Sequence, residues 1–129
     1  MVKDPVHQLV VCTSCRLPKE EREPREQRAG ARFFRGLEER FGSWARREGF
    51  LITPYECLSV CGRPCGVALR AEGKFTYVFG DLEPGRHESA LIECATLYRR
   101  KGSGFLPREE RPLELRAGIL SRIPPLDLE

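Results

Sequence analysis

Two apolar periods alternate along the chain. Leu9-Val10-Val11-Cys12 is a short, β-branched run that predicts a buried central strand. Arg16 to Arg28 is charge-dense and contains Pro18 and Pro24, which oppose a continuous helix, so it reads as a loop. Beyond it the period becomes helical. Phe33, Phe34, Leu37, Phe41, Trp44 and Ala45 fall on one face at steps of three and four, and Gly49 supplies the stop. Phe50-Leu51-Ile52-Thr53 reads as a second strand, followed by a cysteine-bearing loop from Glu56 to Gly66. Val67 to Arg70 and Phe75 to Phe79 are β-rich runs joined across Glu72-Gly73, a hairpin pattern. From His87 to Arg100, Leu91, Cys94, Ala95 and Tyr98 share a helical face, with Gly102 as the expected stop.

The expected order is β-α-β-β-β-α, an α/β fold with a mixed sheet holding a parallel pair and an antiparallel hairpin. Residues 1–105 are expected to form this domain. Residues 106–129 carry Pro107, Pro112, Pro124 and Pro125 and read as a C-terminal extension packed on it, with one short helix near Leu113 to Ser121.

Length and composition narrow the picture. A chain of 129 residues, 40% hydrophobic and 32% charged, makes one ordered domain. No apolar run is long enough for a membrane helix, and Met1 to Pro5 lacks a signal-peptide core, so no membrane role is expected. Twenty-two Lys and Arg against 19 Asp and Glu leave a net charge of +3, with the Arg residues interleaved among Glu. No continuous basic stripe results, which argues against nucleic acid as a partner. Six cysteines stand at 12, 15, 57, 61, 65 and 94. Without an export signal a disulfide framework is not expected, and clustered thiols in a cytoplasmic, reducing setting point to metal or thiol chemistry.

Cys12-Thr13-Ser14-Cys15 lies at the exit of the first strand, and Cys57-Leu58-Ser59-Val60-Cys61-Gly62-Arg63-Pro64-Cys65 follows the second. In a β-α-β unit with adjacent parallel strands, both exits share one edge of the sheet, where open α/β sheets carry their sites. Thiolates there would select zinc, copper(I) or an iron–sulfur cluster. Cys12 and Cys15 can grip one metal ion. Cys57 and Cys61 can grip a second or complete a tetrahedral site. A two-iron cluster needs four cysteines, and four-cysteine zinc is its physical rival.

The order strand, cysteine, helix, strand, Cys-x3-Cys, Gly, Pro, hairpin, helix resembles the thioredoxin-like 2Fe–2S ferredoxins. Val11-Cys12-Thr13-Ser14-Cys15-Arg16, Cys57 to Cys65 and Phe75-Thr76-Tyr77-Val78-Phe79-Gly80-Asp81-Leu82 look like an uncharacterised bacterial family of small predicted metal-binding proteins related to them. Gly104-Phe105-Leu106-Pro107-Arg108 and Ile123-Pro124-Pro125-Leu126 extend that resemblance into the tail. It implies a thioredoxin-like fold and a non-enzymatic electron carrier or metal-handling accessory protein. Cys12, Cys57 and Cys61 would stand at ligand positions, with a redox or metal-handling protein as partner. Members are often encoded near cobalamin and cobalt-handling genes, which implies cobalamin-related metal handling. A second copy of the chain is a further candidate partner. The ferredoxins place about ten residues between their first two cysteines, whereas Cys15 follows Cys12 after two. The fourth ligand is therefore Cys15, in a shortened loop, or Cys65. Cys15 is favoured because Cys65 adjoins the next strand.

Thioredoxin-like dithiol chemistry at Cys12 and Cys15 is the main alternative. Pro64 stands where thioredoxin-like folds keep a cis-proline. Against this reading, Arg16 to Arg28 separates Cys15 from the helix that would lend its dipole. A four-cysteine zinc structural or interaction module is the other alternative. Cys94 reads as core, His7 lies at the opposite end of the first strand, and His87 reads as solvated or capping. Asp81 and Glu83 read as acids placed to meet the positive end of the last helix.

Overall fold

The computed structural model describes residues 6–126. Its main elements are β1 (His7–Cys12), α1 (Ala29–Glu48), β2 (Phe50–Tyr55), β3 (Val67–Ala71), β4 (Thr76–Phe79), α2 (Glu88–Arg100) and β5 (Ile119–Ile123). Single 3-10 turns occur at Arg25–Gln27, Arg108–Glu110 and Leu113–Leu115. The five strands form one mixed sheet in the order β2-β1-β3-β4-β5. β1 is parallel to β2 and antiparallel to β3, and the remaining neighbours are antiparallel.

Side-chain periodicity explains the layering. Val67 and Leu69 are buried while Ala68 between them is half-buried, and Tyr77 and Phe79 are buried around the half-buried Val78. One sheet face therefore carries the core. It meets Phe33, Leu37 and Ala45 of α1 and Leu91, Ala95 and Tyr98 of α2. α1 ends as its sequence predicts: Gly49 is left-handed at φ 74° and donates its amide to the Ala45 carbonyl. The hairpin turn likewise uses Gly73 at φ 76°. α2 ends differently, with an extended Lys101 whose amide bonds to Tyr98. The left-handed glycine after it is Gly104, not Gly102. Among the described residues, no helix is long and apolar enough to cross a membrane. Met1 to Pro5 and residues 127–129 lie outside the described residues.

The tail departs from expectation. Only Leu113–Leu115 turns helically, and Ile119–Ile123 is a strand, β5, paired antiparallel with β4. Pro112 and Pro124 bracket a segment too short for a stable helix. The open edge of β4 offers backbone partners instead. The Gly80 amide continues this pairing to the Gly118 carbonyl at 2.8 Å. A Cβ on Gly80 would lie 2.6 Å from Leu120 and 2.7 Å from the Arg63 carbonyl oxygen. The tail therefore reaches the margin of the cysteine loop.

Candidate metal centre

Cys12 ends β1, with its partner Tyr55 at the end of β2. The parallel pairing continues past both strands: Thr13 donates its amide to the Tyr55 carbonyl at 2.9 Å, and Ser14 to Glu56 at 3.2 Å. This draws the start of the cysteine loop across Cys12, where the Leu58 amide donates to its Sγ at 3.4 Å. On the other side the Cys12 amide donates to the Gly66 carbonyl at 3.0 Å. Cys12 is thus held between the two ends of the loop that carries Cys57, Cys61 and Cys65.

The N-terminus of α1 closes on the same place. Gly30 donates its amide to the Cys15 carbonyl at 3.0 Å, and Arg28 Nη1 donates to the Ser14 carbonyl at 3.2 Å. A Cβ on Gly30 would sit 2.1 Å from the Cys12 carbonyl oxygen, so only glycine permits this approach. The loop from Arg16 to Arg28 separates Cys15 from α1 in sequence but not in space, which corrects that expectation. The loop is fastened by Glu20. Its Oε1 accepts the Leu17 amide at 3.0 Å and the Ala29 amide at 3.1 Å, and its Oε2 pairs with Arg32 at 2.9 Å. Glu20 caps α1 from outside the helix, because the N-cap Arg28 offers no side-chain cap. Burial pulls its carboxyl upward, but the two amides and the Arg32 guanidinium outweigh that and hold it below its ordinary value.

The cysteine loop has two unlike ends. Cys57 and Cys61 are exposed. The Cys57 sulfur accepts the Ser59 amide at 3.3 Å, with Ser59 left-handed at φ 62°. At the far end the backbone is clamped: Asp81 donates its amide to the Arg63 carbonyl at 2.9 Å, and Cys65 and Leu82 exchange amide bonds at 2.9 and 3.3 Å. Arg63 Nε also donates to both Asp81 carboxylate oxygens, at 2.8 and 2.9 Å, and its Nη2 donates to Oδ2. That pairing holds the Asp81 carboxyl below its usual value. Asp81 therefore serves the cysteine loop, a role its place before α2 does not reveal. The cis bond at this turn is Pro64–Cys65, and Arg63–Pro64 is not among the cis peptides of the described residues.

Two buried thiols border this loop and a third belongs to it. Cys12, Cys15 and Cys65 are buried in one apolar cluster, where Cys12 and Cys65 both affect the Cys15 thiol. The Cys15 contact and burial push the Cys12 thiol up, against the lowering effect of the Leu58 amide. At Cys15 the Cys12 thiol pulls downward, but Cys65 and burial outweigh it and hold the thiol up at about 11. Cys15, Cys61, Arg16 and Lys19 are among the residues lining a surface cavity of about 310 Å³.

Not every candidate converges. Cys94 lies in the core on α2, where burial pushes its thiol up to about 12. His7 is buried against Phe50 and Tyr98 at the start of β1, away from Cys12. His87, at the N-cap of α2, accepts the Glu83 amide through Nδ1 at 2.9 Å.

The donor set suits a thiolate-bound group. The turn with Cys12 and Cys15 and the loop that begins with Cys57 lie at one sheet edge, and amides of Leu58 and Ser59 already aim at the Cys12 and Cys57 sulfurs. Yet among the described residues no three Cys, His, Asp or Glu side chains stand close enough together to hold a metal ion as they are. The exposed stretch from Cys57 to Cys61 is the part that would have to close inward.

The model of a protein family of unknown function, DUF1636, matches residues 9–125. The chain belongs to the DUF1636 family. No curated protein matches it significantly. Among solved structures, the chain is similar to a thioredoxin-like [2Fe-2S] ferredoxin from Aquifex aeolicus, at 18% identity and a TM-score of 0.58, covering 92% of this chain and 94% of that one. A second structure, the wild-type thioredoxin-like [2Fe-2S] ferredoxin from Aquifex aeolicus, gives 17% identity and a TM-score of 0.54, with 92% and 99% coverage. This DUF1636 chain therefore has a thioredoxin-like fold, with five strands in a mixed sheet and two long helices.

Proposed function

We propose that the protein is a cysteine-ligated metal protein that carries a 2Fe–2S cluster and passes electrons to a protein partner. Cys12, Cys57 and Cys61 would hold the cluster with Cys15, or with Cys65 in its place. The observation that supports this reading is the Leu58 amide, one residue after Cys57, donating to the Cys12 sulfur. The likeness in fold to 2Fe–2S ferredoxins supports it. A bound cluster of this kind supplies one-electron chemistry. The chain's own part is to provide four thiolates from two loops, aim amides at their sulfurs, and shield one side of the site with β1, β3 and α1.

Dithiol catalysis at Cys12 and Cys15 draws support from α1, whose N-terminus packs on both residues. The neighbouring cysteines and burial hold both thiols above the ordinary cysteine value, which disfavours the thiolate that chemistry needs. Cobalamin-related metal handling is an expectation from the family resemblance, and a second copy of the chain is a candidate partner.

The test is the visible spectrum, iron, labile sulfide and zinc content of protein purified without air. Brown protein with iron and sulfide is expected. Colourless protein with stoichiometric zinc would replace the cluster with a four-thiolate zinc site. Colourless, metal-free protein that reduces a disulfide substrate would overturn the metal reading.

A further inference from the structure

The tail carries charge that the metal site does not use. Where it lies against β4 and β5, Tyr77, Arg111, Arg116, Ser121 and Arg122 are among the residues lining a surface cavity of about 400 Å³. No carboxylate lines this cavity, and among the described residues none of its three guanidiniums makes an ion pair. Glu110, beside Arg111 in the sequence, pairs instead with Lys101 at 2.7 Å. The arginines are nevertheless held in place. Arg111 Nη1 donates to the Arg116 carbonyl at 3.2 Å, and Arg116 Nε donates in return to the Arg111 carbonyl at 3.3 Å. Arg116 Nη2 also donates to the Glu109 carbonyl at 3.0 Å. Arg122 stands opposite Tyr77 in the β4–β5 register, with its guanidinium 5.2 Å from the centre of the Phe105 ring. Carbonyls and a ring fix these side chains without neutralising them. Donor capacity is left over as well, since Arg111 Nε is buried with no partner.

We infer that this cavity binds a diphosphate group, free or carried on a small molecule. A guanidinium presents its N–H donors in a planar fork that matches two phosphate oxygens, and its charge does not titrate at physiological pH. A single phosphate monoester carries a charge of about −1.5 to −2 at neutral pH and would leave part of three positive charges unmatched. Two linked phosphoryl groups match them. The cavity falls within the range of about 300–1,000 Å³ usual for small-molecule sites. It opens to solvent beside the exposed Ser121 and Arg122. Because backbone carbonyls already hold Arg111 and Arg116, binding costs little further side-chain entropy there. No cysteine takes part, so the site stands whether or not the chain carries a cluster.

The full chain is titrated calorimetrically with inorganic pyrophosphate at about 0.15 M salt, where loose surface pairing is screened. Iron and zinc contents are read before and after, because pyrophosphate also draws metal from thiolates. Saturable one-to-one binding with unchanged metal content is expected. Arg122→Gln, at an exposed position, should weaken it about tenfold while the circular dichroism spectrum stays the same. Arg116→Lys keeps the charge but removes the fork, and it should weaken binding as well. Arg70→Gln, an exposed position of β3 outside the cavity, should leave it unchanged. Adenosine diphosphate titrated in parallel separates the two sources of the group. Tighter binding than pyrophosphate assigns the esterified form, and equal or weaker binding assigns the inorganic ion. Absence of pyrophosphate binding, an affinity unchanged in Arg122→Gln, an equal loss in Arg70→Gln, or heat that tracks metal release overturns the inference. Citrate bound as tightly as pyrophosphate also overturns it, by reducing the cavity to a general anion patch.

Discussion

Cys57 and Cys65 belong to one loop but live in different physical settings. Around Cys65 the chain is clamped by Leu82 and Asp81 and packed to contact against the Cys12–Cys15 turn. Around Cys57 and Cys61 the two cysteines are exposed and the chain turns through a left-handed Ser59, anchored by the Leu58 amide and by the partly buried Leu58 and Val60 side chains. The clamped half behaves as core, where each thiol contributes packing. The exposed half leaves the Cys57 and Cys61 sulfurs open to solvent, where a ligand can reach them. Under the proposed ligand set, the buried sulfurs would be in place beforehand and the exposed pair would complete the site on binding.

The largest expected effect separates binding from folding. Cys57→Ser or Cys61→Ser should abolish metal retention while shifting the denaturation midpoint of the metal-free protein by no more than about 0.5 kcal/mol. Metal analysis alongside urea unfolding checks both halves of that statement, and a large loss of stability would break the contrast. Next in size is a pair of glycines. Gly30→Ala should cost about 3 kcal/mol, because its Cβ has no room beside the Cys12 carbonyl. Gly62→Ala, with nothing within 4 Å of the added carbon, should cost close to nothing by the same measurement. Cys94→Ala should retain the metal and lose only about 1 kcal/mol of packing, read from thermal unfolding and metal content together.

The smallest effect depends on pH. The Glu20 carboxyl is held below its usual value in the folded protein, so its contribution is present in full above the ordinary glutamate range. That contribution is lost as pH falls through the lowered folded-state value. Glu20→Gln should therefore cost about 1 kcal/mol at neutral pH, and the cost should shrink on acidification. Urea midpoints of both proteins across that range would show it. A constant difference would mean that Glu20 acts by shape alone.

The sequence made much of this legible. The apolar periods place β1 to β4 and both helices within a few residues of where they lie, because local periodicity and buried faces coincide in these elements. The convergence of Cys12 with the loop after β2 also follows from the sequence, since adjacent parallel strands must share an exit edge. Other features left weaker signals. β5 escaped because Ile119–Ile123 pairs with an edge created by β4, a partner distant in the chain. Glu20 looked like one acid among many in a charged loop, although it caps a helix that begins nine positions later. Gly30, between Ala29 and Ala31, gave a hint in its run of small residues that a close approach was needed there.

By itself the sequence determined which elements form and which thiols share an edge, because both depend on spacing along one chain and on the direction of adjacent strands. Only the tertiary structure decided which sulfurs are buried, which sit on clamped backbone and which are exposed. Those properties arise from backbone bonds between Cys65 and Leu82, between Gly30 and Cys15, and between Asp81 and Arg63. Contacts between residues so far apart are set by how the finished layers pack, and no local pattern encodes them.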